Sequence, residues 1–354
     1  MGKLRHGAMV VAVAVLASGV VAAGAAQAAP ARPDGVGRIT DRVARAVAVE
    51  LGESGARPAL GTAAADPRVL DRRGRLAPTL AAANADVLAA KGLPAGSADL
   101  LRVRLGDAGM AVALHQGVAP LVAAAPNDDE AREFTAYEPG GRAVVLSTVQ
   151  VPTRPVFVVD IDVPTATRLG LDVLRRATGT RSVQSGQVKA AGGYWATQVT
   201  RVRVGDNQEP WPKGSSEIFT LAGGFGPDGR ATVEPVQMPY LDDEDRDYHP
   251  NQLLVHWNRY RYNAADVVMM EDDGDTDYSA LANALATALL TIVDGGAYTP
   301  LVTAILNAMP ASWWVDDPDY VESWYTLTTQ TSGTVTGARG TGVMDVRPYW
   351  VEEL

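Results

Sequence analysis

The chain has 354 residues, a formal net charge of −10, no cysteine and four histidines. Without cysteine it has neither disulfides nor thiolate metal sites, and without a His-Glu-x-x-His motif there is little basis for a zinc centre. The charge is uneven: residues 29–160 balance fifteen Lys/Arg against fifteen Asp/Glu, whereas residues 161–354 set fourteen against twenty-six. No basic face is available to neutralise phosphates, so nucleic acid is not an expected partner.

The chain opens with Lys3 and Arg5, an apolar run from Ala8 to Ala23, and Ala26-Gln27-Ala28. A charged start, a short apolar centre and small residues at the cut predict a signal peptide over residues 1–28 and a mature protein that starts near Ala29. The run is shorter than the roughly 20 apolar residues that span a bilayer. No transmembrane segment is expected in the mature protein, and the expected location is secreted or associated with the cell envelope.

Beyond it, Ile39, Val43, Val47 and Leu51 recur every four residues, the spacing of an amphipathic helix. A second helix is expected from about Thr79 to Lys91, ended by Gly92 and Pro94. From Met110 onward the period changes. Strands are expected around Leu121, at Phe134 to Tyr137, Ala143 to Val149 and Val156 to Ile161, with a turn at Glu138-Pro139-Gly140-Gly141. A Gly- and Arg-containing stretch over 164–193, with room for a helix at Thr165 to Arg176, reads as the junction between two domains. Strands follow at Trp195 to Val204, Glu217 to Leu221, Ala231 to Val236, Gln252 to Trp257 and Asp266 to Met270. Two helical pieces then lie between Ser279 and Met309, the second opened by Thr299-Pro300. Strands resume at Tyr325 to Thr329 and Gly342 to Val346.

Two acidic runs share a form: Asp242-Asp243-Glu244-Asp245-Arg246-Asp247-Tyr248 and Asp272-Asp273-Gly274-Asp275-Thr276-Asp277-Tyr278. Alternate residues of a tight loop can turn several carboxylates to one point, as calcium demands, with about six to eight oxygens. Neither run is an EF-hand: with Asp273 at the first position, Tyr278 replaces the required glycine and Ala284 the bidentate glutamate. Either run alone reads as a solvated acidic face. Together, their mutual repulsion is what a bound cation would relieve. Gly224-x-Gly226-x-x-Gly229 leads into strand rather than helix and reads as a hairpin loop, not a dinucleotide site. No Gly-x-Ser-x-Gly elbow is present. His256 reads as a packed residue, and His249 as the better candidate for a base or ligand. Trp313, Trp314, Trp324 and Tyr325 beside Asp316, Asp317, Asp319 and Glu322 read as core anchors rather than a sugar cleft.

The run Arg201-Val202-Arg203-Val204-Gly205-Asp206, then Ser216-Glu217-Ile218-Phe219, then Val267 to Asp277, resembles the calcium-loop arrangement of C2 domains. That resemblance implies calcium as the cofactor. It also implies a metal set drawn from Asp206, Glu217, Glu271, Asp273, Asp275 and Asp277, with Glu at 217 and 271 where the family usually has Asp. Glu209-Pro210-Trp211-x-Lys213-Gly214-x-x-Glu217-Ile218-Phe219, Tyr248-His249-Pro250-Asn251-Gln252 and Asp316-Asp317-x-Asp319-Tyr320-Val321 are similar to an uncharacterised family of secreted bacterial proteins. That likeness implies export and a bacterial source, and it brings no activity with it.

The expected architecture is α+β. A small helix-plus-strand domain covers 29–163, a linker 164–193, and an antiparallel C2-like β-sandwich 194–354, with a helical hairpin at 279–309. The expected function is a calcium-binding extracellular binding or structural module with an unknown extracellular or cell-envelope ligand. The rival is an exported hydrolase, a metal-assisted peptidase or a glycosidase, using His249 or an acidic pair.

Overall fold

Helix α1 (Gly35–Ser54) forms where the four-residue apolar spacing requires it, and Ile39, Val43, Val47 and Leu51 are all buried. The computed structural model describes residues 35–54, 68–69, 75–126, 131–179, 192–205, 211–213, 217–272, 274–309 and 320–352. The expected signal peptide lies outside them. Helix α1 packs on α2 (Ala77–Ala90) and on one face of a six-stranded sheet. That sheet comprises β1 (Arg68–Val69), β2 (Leu101–Leu105), β3 (Leu121–Ala124), β4 (Glu133–Tyr137), β5 (Ala143–Ser147) and β6 (Val156–Ile161), in the order β1-β2-β6-β3-β4-β5. All neighbours are antiparallel except β3 and β6. Tyr137 donates to Asp41 at 2.9 Å, tying β4 to α1.

Strands β3 to β6 lie where the sequence predicts them, but β2 was not expected. Its Leu101, Val103 and Leu105 alternate into the core while Arg102 and Arg104 point the other way, the period-two signature of a strand with one buried face. A 3-10 turn at Ala108–Met110 leads into a short helix, α3 (Ala111–His115).

Helix α4 (Val163–Ala177) opens on Asp162, which accepts from the Thr165 amide at 3.0 Å, with Pro164 in the first turn. It occupies the start of the stretch read as an interdomain linker. Two four-stranded antiparallel sheets follow, one ordered β10-β7-β14-β13 and the other β12-β11-β8-β9. They are built from β7 (Tyr194–Val204), β8 (Ile218–Phe225), β9 (Ala231–Gln237), β10 (Gln252–His256), β11 (Ala264–Glu271), β12 (Tyr320–Thr328), β13 (Gly333–Thr336) and β14 (Gly342–Val351). The expected positions hold, with β13 as an addition. Gly226 donates to the Arg230 carbonyl at 2.8 Å, making the expected hairpin between β8 and β9.

The two sheets share a core in which Val199, Val202 and Met344 meet Ile218, Val267, Met269 and Trp324. Trp324 thus stands in the core between the sheets, whereas Tyr325, read with it as an anchor, is exposed, and Trp313 and Trp314 lie outside the described residues. The opposite face of the second sheet is covered by α4, α5 (Tyr278–Leu290) and α6 (Val302–Ala308). Strands β8 and β11 are therefore buried along their whole length. The expected opening of the last helix at Thr299-Pro300 is corrected: α6 begins after Leu301, whose amide is accepted by the buried carboxylate of Asp266.

A second apolar core runs without a break from α1, α2 and β6 through α4 to Phe219, Val268 and Met270 of the second sheet. It crosses the stretch 164–193, and Asp34–Leu354 makes up one compact unit. Among the described residues no helix is long and apolar enough to cross a membrane.

Candidate functional site

The ends of β8 and β11 meet α2, α4 and α5 at one place. Asp272 follows β11 and is buried, and its amide donates to the Glu217 carbonyl at 3.0 Å, extending the ladder between the two strands. Lys91 ends α2, and its own carbonyl accepts the Tyr278 amide at 3.0 Å, which docks the start of α5 on the end of α2. Gly92 next to it has φ +60, and a side chain there would strike Asp277 and Ser279, so glycine is required both for the turn and for the close approach.

From this anchor the Lys91 side chain runs inward. Its Nζ lies 3.3 Å from Asp272 Oδ1 and 5.3 Å from the centroid of the Tyr278 ring, and neither charged side chain is exposed. Asp272 Oδ1 also accepts from the Gly274 amide at 3.0 Å, and Oδ2 from the Thr167 hydroxyl of α4 at 2.9 Å and from the Tyr278 hydroxyl. Burial alone would raise the Asp272 carboxyl, but the Lys91 charge and the Tyr278 and Thr167 hydroxyls outweigh it and hold it below its ordinary value. Burial and the Asp272 charge push the Tyr278 phenol well up.

Glu217 stands beside this cluster. Its carboxyl is buried, and among the described residues its Oε2 has no hydrogen-bond partner. Desolvation, then the charges of Asp272, Asp242, Asp162 and Glu271, push it up to about 8. A neutral, protonated carboxyl is what such a site favours near neutrality. Toward the six-stranded sheet the cluster is bordered by Arg102 paired with Asp162, and by Arg104 at 3.8 Å from Asp160. Burial raises the Asp160 carboxyl despite Arg104.

Of the residues expected to hold calcium, the four that are described, Glu217, Glu271, Asp275 and Asp277, take separate positions. Ile218 and Met269 face the core between the sheets, and Phe219 and Met270 face the helices. Strand alternation therefore turns Glu271 to the first side and Glu217, with Asp272, to the second. Asp275 is exposed, and Asp277 accepts from the Ala280 amide at 3.0 Å as the N-cap of α5. Asp206 and Asp273 lie outside the described residues. Among the described residues no group of three or more His, Cys, Asp or Glu could hold a metal ion.

The second acidic run is occupied by the protein's own cations. Arg246 pairs with Asp243 at 2.5 Å, Arg203 with Asp245 at 2.9 Å, and Arg201 with both Asp247 at 3.0 Å and Asp345 at 2.7 Å. His249 is exposed, with Nδ1 3.2 Å from the Thr200 carbonyl oxygen, and His256 Nδ1 lies 3.0 Å from the Tyr194 hydroxyl. Burial lowers the His256 pKa, consistent with a packed residue. Lys91 carried no functional signal in the sequence, because a lysine at a helix end ordinarily complements the helix dipole from the surface. Tyr278 and Thr167 carried none either.

A family model described as "Protein of unknown function (DUF3103)" matches residues 67–354, and the chain belongs to that family. No curated protein and no solved structure matches it.

Proposed function

We propose that the chain is exported and works as a non-catalytic structural or binding module of the cell exterior, with Asp243, Asp245, Asp247 and Asp272 of its acidic runs paired to its own cations. The observation that carries this reading is Asp272. This buried carboxylate of the acidic 271–277 run holds α2, α4, β11 and α5 together through Lys91, Thr167, Gly274 and Tyr278. A catalytic or metal-binding carboxylate needs an open side toward substrate or ion, and this one is enclosed. The C2-like calcium reading would need Asp206 and Asp273 to supply most of the ligands, with Glu217 and Glu271 turned to opposite faces. The hydrolase reading would rest on His249 or an acidic pair, and among the described residues His249 Nδ1 lies beside the Thr200 carbonyl oxygen rather than a nucleophile.

The test is made on protein recovered from culture medium, with its N-terminus determined by mass spectrometry. A start near Ala29, a melting temperature unmoved by excess calcium, and no turnover in a broad peptidase and glycosidase panel are expected. Retention inside the cell, calcium-dependent melting or substrate cleavage would each overturn the part of the reading it addresses.

A further inference from the structure

We propose that Lys91 and Asp272 become covalently joined, the lysine amine and the aspartate side-chain carboxyl condensing to an intramolecular amide, with Glu217 carrying protons between them. The inference goes beyond the proposed function and does not depend on it.

Proximity and dryness come first. Nζ lies 3.3 Å from Oδ1 with neither side chain exposed. An ammonium and a carboxylate so placed have lost their hydration, and their attraction does not reliably repay that loss. The neutral pair, a free amine beside an un-ionised carboxyl, is one proton transfer away from the ion pair. It is also the reactive form. Two reactants held in contact by a folded core react as one molecule.

The carboxyl is also oriented. The Gly274 amide, the Thr167 hydroxyl and the Tyr278 hydroxyl fix its two oxygens. These donors stand where negative charge gathers as an amine adds to the carbon, and they are in place before reaction.

Glu217 supplies what the pair lacks. Strand alternation puts it on the same side of the sheet as Asp272, buried, with Oε2 unpartnered among the described residues. Burial and the Asp272 charge push its carboxyl to about 8, which suits a group that gives and takes protons near neutrality.

The step balances without a co-reactant. One proton leaves the Lys91 ammonium and reaches the Asp272 carboxylate by way of Glu217. The Nζ lone pair attacks Cγ and forms the C–N bond. A second proton passes from nitrogen through Glu217 to the hydroxyl oxygen on Cγ, the C–O bond breaks, and one water departs. The amide carries no charge, so the cost of burying two ions is removed. It would link positions 181 residues apart in a chain that has no cysteine.

The experiment is intact-mass spectrometry of the full folded protein after denaturation, read against the N-terminus found in the same sample, followed by peptide mapping. The expected result is a mass lower by one water and a branched peptide joining Lys91 to Asp272. Lys91→Arg should restore the full mass, and Asp272→Asn should lose ammonia in place of water. Glu217→Gln, shown to be folded by circular dichroism, should remain unlinked. Full mass and two separate peptides from the folded parent, after long incubation at neutral and mildly alkaline pH, would overturn the proposal and leave a plain ion pair. Linkage in Glu217→Gln at the parental rate would overturn the role of Glu217.

Discussion

Lys91 and Asp272 are 181 positions apart in the chain and 3.3 Å apart in space, both enclosed. The pair ties the N-terminal helices to the end of β11 and to the start of α5, and one apolar core surrounds it on both sides of the stretch read as a linker. A hydrophobic core can slide; a buried pair with fixed hydrogen bonds sets a register. Here it defines how α2, α4 and α5 sit on the second sheet.

Removing one partner leaves the other charge buried without compensation. In the unlinked Glu217→Gln background, Lys91→Met is expected to lower unfolding stability by about 3–5 kcal/mol, while Lys91→Met combined with Asp272→Leu costs less than the two single changes added together. Denaturant unfolding of the four proteins checks this. A single change costing under about 1 kcal/mol, as exposed ion pairs do, would show that the pair does not hold the seam.

Gly170 of α4 lies against the Tyr278 ring, and a side chain there would overlap the ring atoms. Gly170→Ala gains helix propensity of about 1 kcal/mol but forces Tyr278 away from Asp272. Overpacking of this kind typically costs about 1–3 kcal/mol. Net destabilisation in thermal melts, together with changed tyrosine fluorescence, is expected. A gain in melting temperature would mean that the ring yields freely.

The architecture was legible because period carries it. Ile39, Val43, Val47 and Leu51 announce α1, and the apolar runs of β8 and β11 announce strands buried on both faces. Strand β2 carried the same kind of signal in Leu101, Val103 and Leu105, and it escaped because the change of period was placed nine residues after its first residue. The site was not legible, and the reason is parity. The expected metal set takes Glu271, whereas the enclosed carboxylate is Asp272, and a shift of one residue exchanges the faces at the end of a strand. Its partner Lys91 could be found from no local pattern, because the contact exists only after the two halves fold together.

Glu217 makes stability depend on pH in a direction opposite to that of a salt-bridged carboxylate. An unperturbed glutamate titrates near 4.3, whereas in the folded protein burial and neighbouring charges push Glu217 up to about 8. Between those values the native state holds a proton that the unfolded chain has lost. The stabilisation is complete below the lower value and is lost as pH rises through the upper one, by on the order of 5 kcal/mol at most. Glu217→Gln removes the titration, so its melting temperature should fall less than the parent's across that window. Parallel curves for the two proteins would show that Glu217 ionises normally.

The acidic loop before α5 contains a cap, and the cap can be separated from its neighbours. Asp277 accepts from the Ala280 amide at 3.0 Å, and Asp275 is exposed. Asp277→Ala should cost about 1 kcal/mol and Asp275→Ala less than about 0.5 kcal/mol. Equal effects in chemical denaturation would remove the distinction between a capping carboxylate and a solvated one.

Calcium provides the sharpest contrast between what the acidic runs suggest and what the side chains do. The case for an ion rested on repulsion among carboxylates, yet Arg246, Arg203 and Arg201 pair with Asp243, Asp245 and Asp247, and Lys91 pairs with Asp272. An ion held by Asp243, Asp245, Asp247 or Asp272 would have to displace a guanidinium or an enclosed ammonium. A ligand at a hundred times its dissociation constant stabilises a protein by about 2.7 kcal/mol, a shift that calorimetry resolves. The expected outcome is superimposed melting curves with millimolar calcium and with chelator. A calcium-dependent rise would instead establish an ion site. It would then be located by comparing Asp273→Asn with Asp275→Asn against Asp245→Asn with Asp247→Asn, the first pair abolishing the rise if the ion sits at the end of β11 and the second if it sits among the arginines.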